Sequence, residues 1–205
     1  MNIVNRQVLN FSICFLILGV AAGHLYTRHS LSSSVPPQSS SLSHSHSISQ
    51  AIAIIQPTSG NSISGYVSFS RLNSGHIRVQ AHVEGLAPLS KHGFHIHEFG
   101  DLRAADGTSA GGHYNPENQA HGLPPTPHRH AGSYGNLVAD EHGVAKFDFE
   151  DSMITIDERH PVLGRTVVIH VNPDDGSQPL GNAGPRMGVG VIGIANPSAN
   201  LTTTR

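Results

Sequence analysis

The stretch ISGYVSFSRLNSGHIRVQAHVE, residues 63–84, decides the fold class. Between Ile63 and Arg71, Tyr66, Ser68 and Ser70 interleave with Val67 and Phe69; between His76 and Glu84, apolar side chains recur at Ile77, Val79, Ala81 and Val83. A period of two sends alternate side chains to opposite faces, so each run reads as a strand with one buried face. Asn73-Ser74-Gly75 separates the runs with residues suited to a tight turn. Working outward, similar runs occupy Ala51–Gln56, His92–Phe99, Gly135–Asp140, Val144–Glu150, Arg165–Val171 and Met187–Ala195. Glu141-His142-Gly143 reads as a hairpin turn. Eight strands with no helical periodicity predict an all-β, eight-stranded antiparallel barrel or sandwich.

Two connections are too long to be idle turns. One runs from Gly100 to about Ser133 and is dense in His, Gly and Pro; the other runs from Asn172 to Pro185 and carries Asp174 and Asp175. Loops of this length inside a domain are usually functional or disordered, and a metal ion would order the first.

Bulk numbers narrow the chemistry. Twelve Lys and Arg against 14 Asp and Glu give a net charge of −2 over 205 residues, which leaves no basic footprint for nucleic acid. There are 16 histidines and one cysteine, a balance that points to imidazole metal chemistry and away from thiolate or disulfide frameworks. Residues 1–23 pair Arg6 with the apolar run Val8–Ala22 and small residues after it, the pattern of an export signal, or of a membrane anchor if it is not cleaved. The expected location is therefore secreted, periplasmic or lumenal, or membrane-tethered. Cys14 lies in this segment, so a cleaved protein has no cysteine. Residues 24–50 read as a Ser/His/Pro-rich flexible linker, in which His44 and His46 are more simply incidental histidines of a polar tether than a loose metal-capturing pair; residues 51–196 read as the domain and 197–205 as a tail.

In a strand over His95-Ile96-His97 the two imidazoles project from one face, a preorganised half-site for a transition metal. From that pair alone, two polar residues on a solvated strand face are the slightly favoured reading. The long loop adds His113, His121, His128 and His130, and His170 follows the apolar run Val167-Val168-Ile169. Many nitrogen donors with few carboxylates suit copper and zinc better than magnesium or calcium.

At this point the residues resemble the copper–zinc superoxide dismutase family. GFHIHEFGD (93–101) is similar to its copper-binding strand, GGHYNP (111–116) to the segment of its metal-bridging histidine, and GRTVVIH (164–170) to its last copper-ligand strand. GNAGPR (181–186) and GVIGIA (190–195) resemble its C-terminal signature. The resemblance spans residues 51–196 and implies a Greek-key barrel. It implies dismutation of superoxide to oxygen and hydrogen peroxide, with copper on His95, His97, His113 and His170. It also implies zinc on His113, His121 and His130, His113 bridging the metals, and Asp174 linking a copper ligand to a zinc ligand. Arg186 is implied beside the copper as the guide for the superoxide anion, so Arg186 and His113 carry the catalytic roles. Homodimerisation is a further implication.

Three departures from the family pattern stand out. Ser133 occupies the place of the usual zinc-ligand aspartate, from which a zinc site lacking that aspartate, and so weakened, is expected. Gly107 and Val189 stand where the family's disulfide cysteines would be, and Gln178-Pro179-Leu180 shortens a loop that often carries steering charges. A copper-buffering protein without turnover is the rival reading, and a purely structural barrel a third; Arg186 argues for the enzyme, because copper storage has no use for an anion guide.

Overall fold

The computed structural model describes residues 47–199. The export segment, Cys14, the His44–His46 pair, most of the linker and the end of the tail lie outside the described residues. Eight strands form: β1 (Gln50–Pro57), β2 (Ser64–Arg71), β3 (Ile77–Glu84), β4 (Lys91–His97), β5 (Ser133–Val138), β6 (Ala145–Asp151), β7 (Thr166–His170) and β8 (Arg186–Ile194). Among the described residues the one helical segment is a single 3₁₀ turn, Thr108–Ala110.

All pairings are antiparallel, in the order β5-β4-β7-β8-β1-β2-β3-β6. The chain passes from β3 to β4 and from β6 to β7 without pairing them, giving Greek-key crossovers. The edge strands β5 and β6 meet through the bridge Ala139–Ala145, so the barrel is nearly closed. The turn between them is held by Asp140, whose Oδ1 accepts from the His142 and Val144 amides.

Alternation fixes the register. In β3, Ile77, Val79, Ala81 and Val83 are buried, while Arg78 and Glu84 face water. Phe69, Phe94, Ile96, Val167, Ile169 and Leu137 fill the barrel. Burying such side chains provides the main stabilising term. At one end Phe94 lies 5.5 Å from the Tyr134 ring and 5.2 Å, edge-on, from Phe147.

β4 departs from alternation, since everything from His92 to His97 is buried. Phe94 and Ile96 enter the barrel; His95 and His97, on the outer face, are covered by the two long loops. The first loop is tied down by Ser59 N donating to Ala105 O, by Arg186 Nη1 donating to Gly107 O, and by the His97–His113 bridge. Gly107 sits at φ 77° with no room for a side chain, because a Cβ there would meet Val189 Cγ1 at 2.9 Å. The two positions that resemble cysteine sites therefore lie side by side.

Candidate metal centre

Nine side chains singled out in the sequence converge on the outer face of β4: His95, His97, His113, His121, His130, Ser133, His170, Asp174 and Arg186. His95 and His97 share a face by strand periodicity. His170 ends the neighbouring strand β7, and the long loop brings His113, His121 and His130 over them. His128, two residues from His130, stays exposed and apart.

The histidines form two groups, His95–His97–His113–His170 and His113–His121–His130, in each of which one ligand atom per residue lies within 4.8 Å of the others. All are buried and His95 is 0% exposed. His113 belongs to both groups.

The ring nitrogens are assigned by their partners. His97 Nδ1 donates to Gly111 O at 2.9 Å, and His170 Nδ1 to Gly184 O at 2.9 Å. A nitrogen that donates to a carbonyl leaves the other with a lone pair. The Nε2 atoms of His97 and His170 therefore face each other at 3.2 Å as two acceptors. Two lone pairs at that distance repel unless a cation lies between them. His95 Nε2 donates to Asp174 Oδ2 at 2.7 Å, and its Nδ1 is buried with no partner. An orphaned buried acceptor facing two more is the donor set a copper ion fits.

In the second group His121 Nε2 donates to Asp174, 2.9 Å from Oδ1 and 3.0 Å from Oδ2, which leaves Nδ1 for a metal. His113 Nδ1 and His130 Nδ1 approach to 3.3 Å, so His113 turns Nδ1 to this group and Nε2 to the first. Three imidazole nitrogens around one point fit zinc.

Asp174 thus ties a ligand of one group to a ligand of the other. Its backbone is clamped by Asn136, which donates to Asp174 O at 2.9 Å and accepts from Asp174 N at 2.7 Å. Gly181, at φ 70°, closes over it; a Cβ there would overlap the carboxylate and His121 Nε2. The expectation of a zinc site without an aspartate is corrected by this geometry. Serine at 133 removes a carboxylate from one position, but Asp174 reaches the cluster from the second loop.

Some contributors escaped sequence reading. Buried Arg129 donates to the carbonyls of His130, Ala131 and Ser133 and pairs with Asp151 at 3.2 Å, so it shapes the backbone that presents His130. A cation between His128 and His130 in a loop was the available signal; its partner, at the end of β6, is remote in sequence. Likewise His92 Nδ1 donates to the backbone oxygen of His170 at 2.9 Å.

Electrostatics favours neutral imidazoles here. Burial pushes His97 well below the ordinary histidine range and, with the neighbouring histidines, does the same to His113. Burial lowers His170 to about 4. Burial opposes ionisation of Asp174, yet hydrogen bonds from His121 and His95 hold its carboxyl below the usual range. For His170 the folded value lies below the unfolded value of about 6.5. The unfolded chain therefore binds the proton first as pH falls. Metal-free protein is accordingly expected to lose stability between pH 6.5 and about 4, and to be insensitive to this group above 7. Urea midpoints at pH 7.5 and pH 5 check this, the lower midpoint being expected at pH 5.

Arg186, half-buried, donates to Gly107 O and Gly111 O. It borders a cavity of about 350 Å³ lined by His97, His113, His170, Pro179 and Leu180.

Known proteins resemble the chain in the same terms. Residues 63–192 match the family described as copper/zinc superoxide dismutase. A Cu-Zn superoxide dismutase of Saccharomyces cerevisiae is 43% identical over 156 residues, 72% of this chain and 99% of the yeast protein. One from Arabidopsis thaliana is 40% identical over 152 residues, 71% of this chain and 90% of its own length. The crystal structure of the clock protein EA4 superposes with a TM-score of 0.67 at 38% identity, covering 73% of this chain and 96% of that one.

Proposed function

The chain belongs to the copper/zinc superoxide dismutase family, and from its two histidine groups we infer how its own residues serve that family's reaction. It is an oxidoreductase that converts superoxide to oxygen and hydrogen peroxide. Its copper group is His95, His97, His113 and His170, and its zinc group is His113, His121 and His130 with Asp174 beside them. The observation that carries the reading is the convergence of lone pairs from His95 Nδ1, His97 Nε2 and His170 Nε2 beside the His113 ring.

Copper, when bound, supplies a one-electron couple that superoxide can both reduce and reoxidise. The protein's part is to bind and orient. Carbonyls of Gly111 and Gly184 hold the His97 and His170 rings in one tautomer, and Asp174 does so for His95. Such outer hydrogen bonds set ligand orientation and basicity. Arg186 keeps its positive charge at working pH and, pinned by two carbonyls, presents it at the cavity mouth to an anion. His113 is the one ring facing both groups, so its Nε2 can exchange a proton inside the cavity while Nδ1 stays engaged on the other side. Protein reconstituted with equimolar copper and zinc is expected to consume superoxide. Arg186→Leu should lower that rate by about 10-fold or more at unchanged copper content. Decay at the uncatalysed rate with both metals bound contradicts the reading.

The remaining proposals concern context. Residues 1–23 support export or membrane anchoring, which N-terminal sequencing of protein from its source checks. A homodimer is supported by exposed apolar side chains on neighbouring strands and loop: Ile54, 58% exposed, Phe99, 57%, and Val191, 38%. Ile54 and Val191 stand on the paired strands β1 and β8, and Gly100, next to Phe99, lies against Val191, since a Cβ there would approach Val191 Cγ1 to 3.2 Å. A contiguous apolar patch of this kind marks an association surface. The pair Ile54→Lys with Phe99→Glu is expected to turn a dimer into a monomer in sedimentation velocity; a monomeric parent protein overturns the proposal.

A further inference from the structure

Ser133 stands at the zinc group where the family resemblance would put an aspartate. Its side chain is 0% exposed, and its Oγ lies 3.3 Å from His121 Nδ1, the nitrogen that Asp174 leaves free for metal. On the opposite side of the group, His113 Nδ1 and His130 Nδ1 are also 3.3 Å apart. A tetrahedron with metal–donor bonds of about 2.0–2.1 Å has edges of about 3.3–3.4 Å. The two separations match the length of two opposite edges of such a tetrahedron, one of them ending on Ser133 Oγ.

We propose that the Ser133 hydroxyl oxygen is the fourth donor of the zinc site, closing it with a neutral oxygen while the negative charge is supplied by Asp174 through His121. Local structure favours this role. Ser133 opens β5 and pairs with His95 of β4, so its backbone is fixed by the barrel and not by the loop. Arg129 donates to Ser133 O at 2.9 Å as well as to His130 O, locking the segment that joins the two donors. The neighbouring Gly132 permits the tight entry, since a Cβ there would overlap Ile96 O. In metal-free protein the hydroxyl donates its proton to His121 Nδ1. A metal that takes the Nδ1 lone pair ends that hydrogen bond, and the oxygen then turns its own lone pair to the same ion. Burial of all three histidines and of Ser133 leaves the site closed to bulk water, as structural zinc sites are.

The proposal rests on the zinc assignment made above, and its test reads the metal directly. Protein carrying copper(I) at the copper group is titrated with cobalt(II), and Ser133→Cys and Ser133→Ala are compared with the parent. In Ser133→Cys a near-ultraviolet thiolate-to-cobalt charge-transfer band is expected, absent from the parent. In Ser133→Ala, chelator competition should show zinc affinity lowered by about 10-fold or more, with far-ultraviolet circular dichroism unchanged. Cobalt bound one to one in Ser133→Cys without the band, or zinc affinity in folded Ser133→Ala equal to the parent's, overturns the proposal. Superoxide consumption by the parent, measured on the same preparation, separates this result from the dismutase reading: either can fail while the other stands.

Discussion

His170→Ala is expected to lower copper-dependent superoxide consumption by at least about 100-fold, with copper affinity falling in parallel and the barrel intact. Loss of a group that merely orients a metal ligand already costs about 10–100-fold in affinity or activity, and His170 supplies a donor atom itself. Its Nε2 faces His97 Nε2 at 3.2 Å, and among the described residues the first group holds only His95, His97 and His113 beside it. The ring is nearly buried at the end of β7, so alanine leaves a hole lined by polar atoms, among them the Gly184 carbonyl that His170 Nδ1 satisfied. The effect should be confined to copper, because His170 is absent from the zinc group. Atomic emission for both metals, with the dismutation rate, checks the result: copper lost, zinc kept and activity gone. Activity within a few-fold of the parent would mean that the first group is not the copper site.

Phe94→Ala carries the largest expected effect on stability, about 3–5 kcal/mol. The ring is 1% exposed, packs against Tyr134 and Phe147, and belongs to the strand that carries His95 and His97. Deleting it removes apolar burial and leaves a cavity that the curved sheet refills poorly. For a domain of this size each kcal/mol shifts Tm by about 2–4 °C, so metal-free protein should melt about 6–20 °C lower. Leu89→Ala is the control, because Leu89 is 73% exposed and should change stability by no more than about 0.5 kcal/mol. Equal melting points for the two variants would contradict the placement of Phe94 at the centre of the core.

Legibility in the sequence followed where the physics is local. Strand alternation in Ile77–Glu84 is a one-residue rule, so β3 could be read directly, and the same holds for β2 and for the 141–143 turn. β5 begins at Ser133, before the predicted start at Gly135, because its pairing with His95 depends on a strand remote in sequence. The site was legible in part for the same reason. Spacing places His95 and His97 side by side, but only the loops decide that they are buried. His128 and His130 look alike in sequence; Arg129, anchored on Asp151, turns one inward and leaves the other in solvent. Asp174 was expected as a link between the groups, yet its two-oxygen grip on His121 depends on the fold of the second loop. That is why the zinc site looked short of an aspartate when read along the chain.

Diffraction at the copper absorption edge, on crystals grown from copper- and zinc-loaded protein, tests the central assignment most directly. The arrangement of donors predicts one strong anomalous peak within bonding reach of His95 Nδ1, His97 Nε2, His113 Nε2 and His170 Nε2 together. A peak bonded to fewer than three of these nitrogens, or a copper ion elsewhere on the molecule with this point vacant, would contradict it.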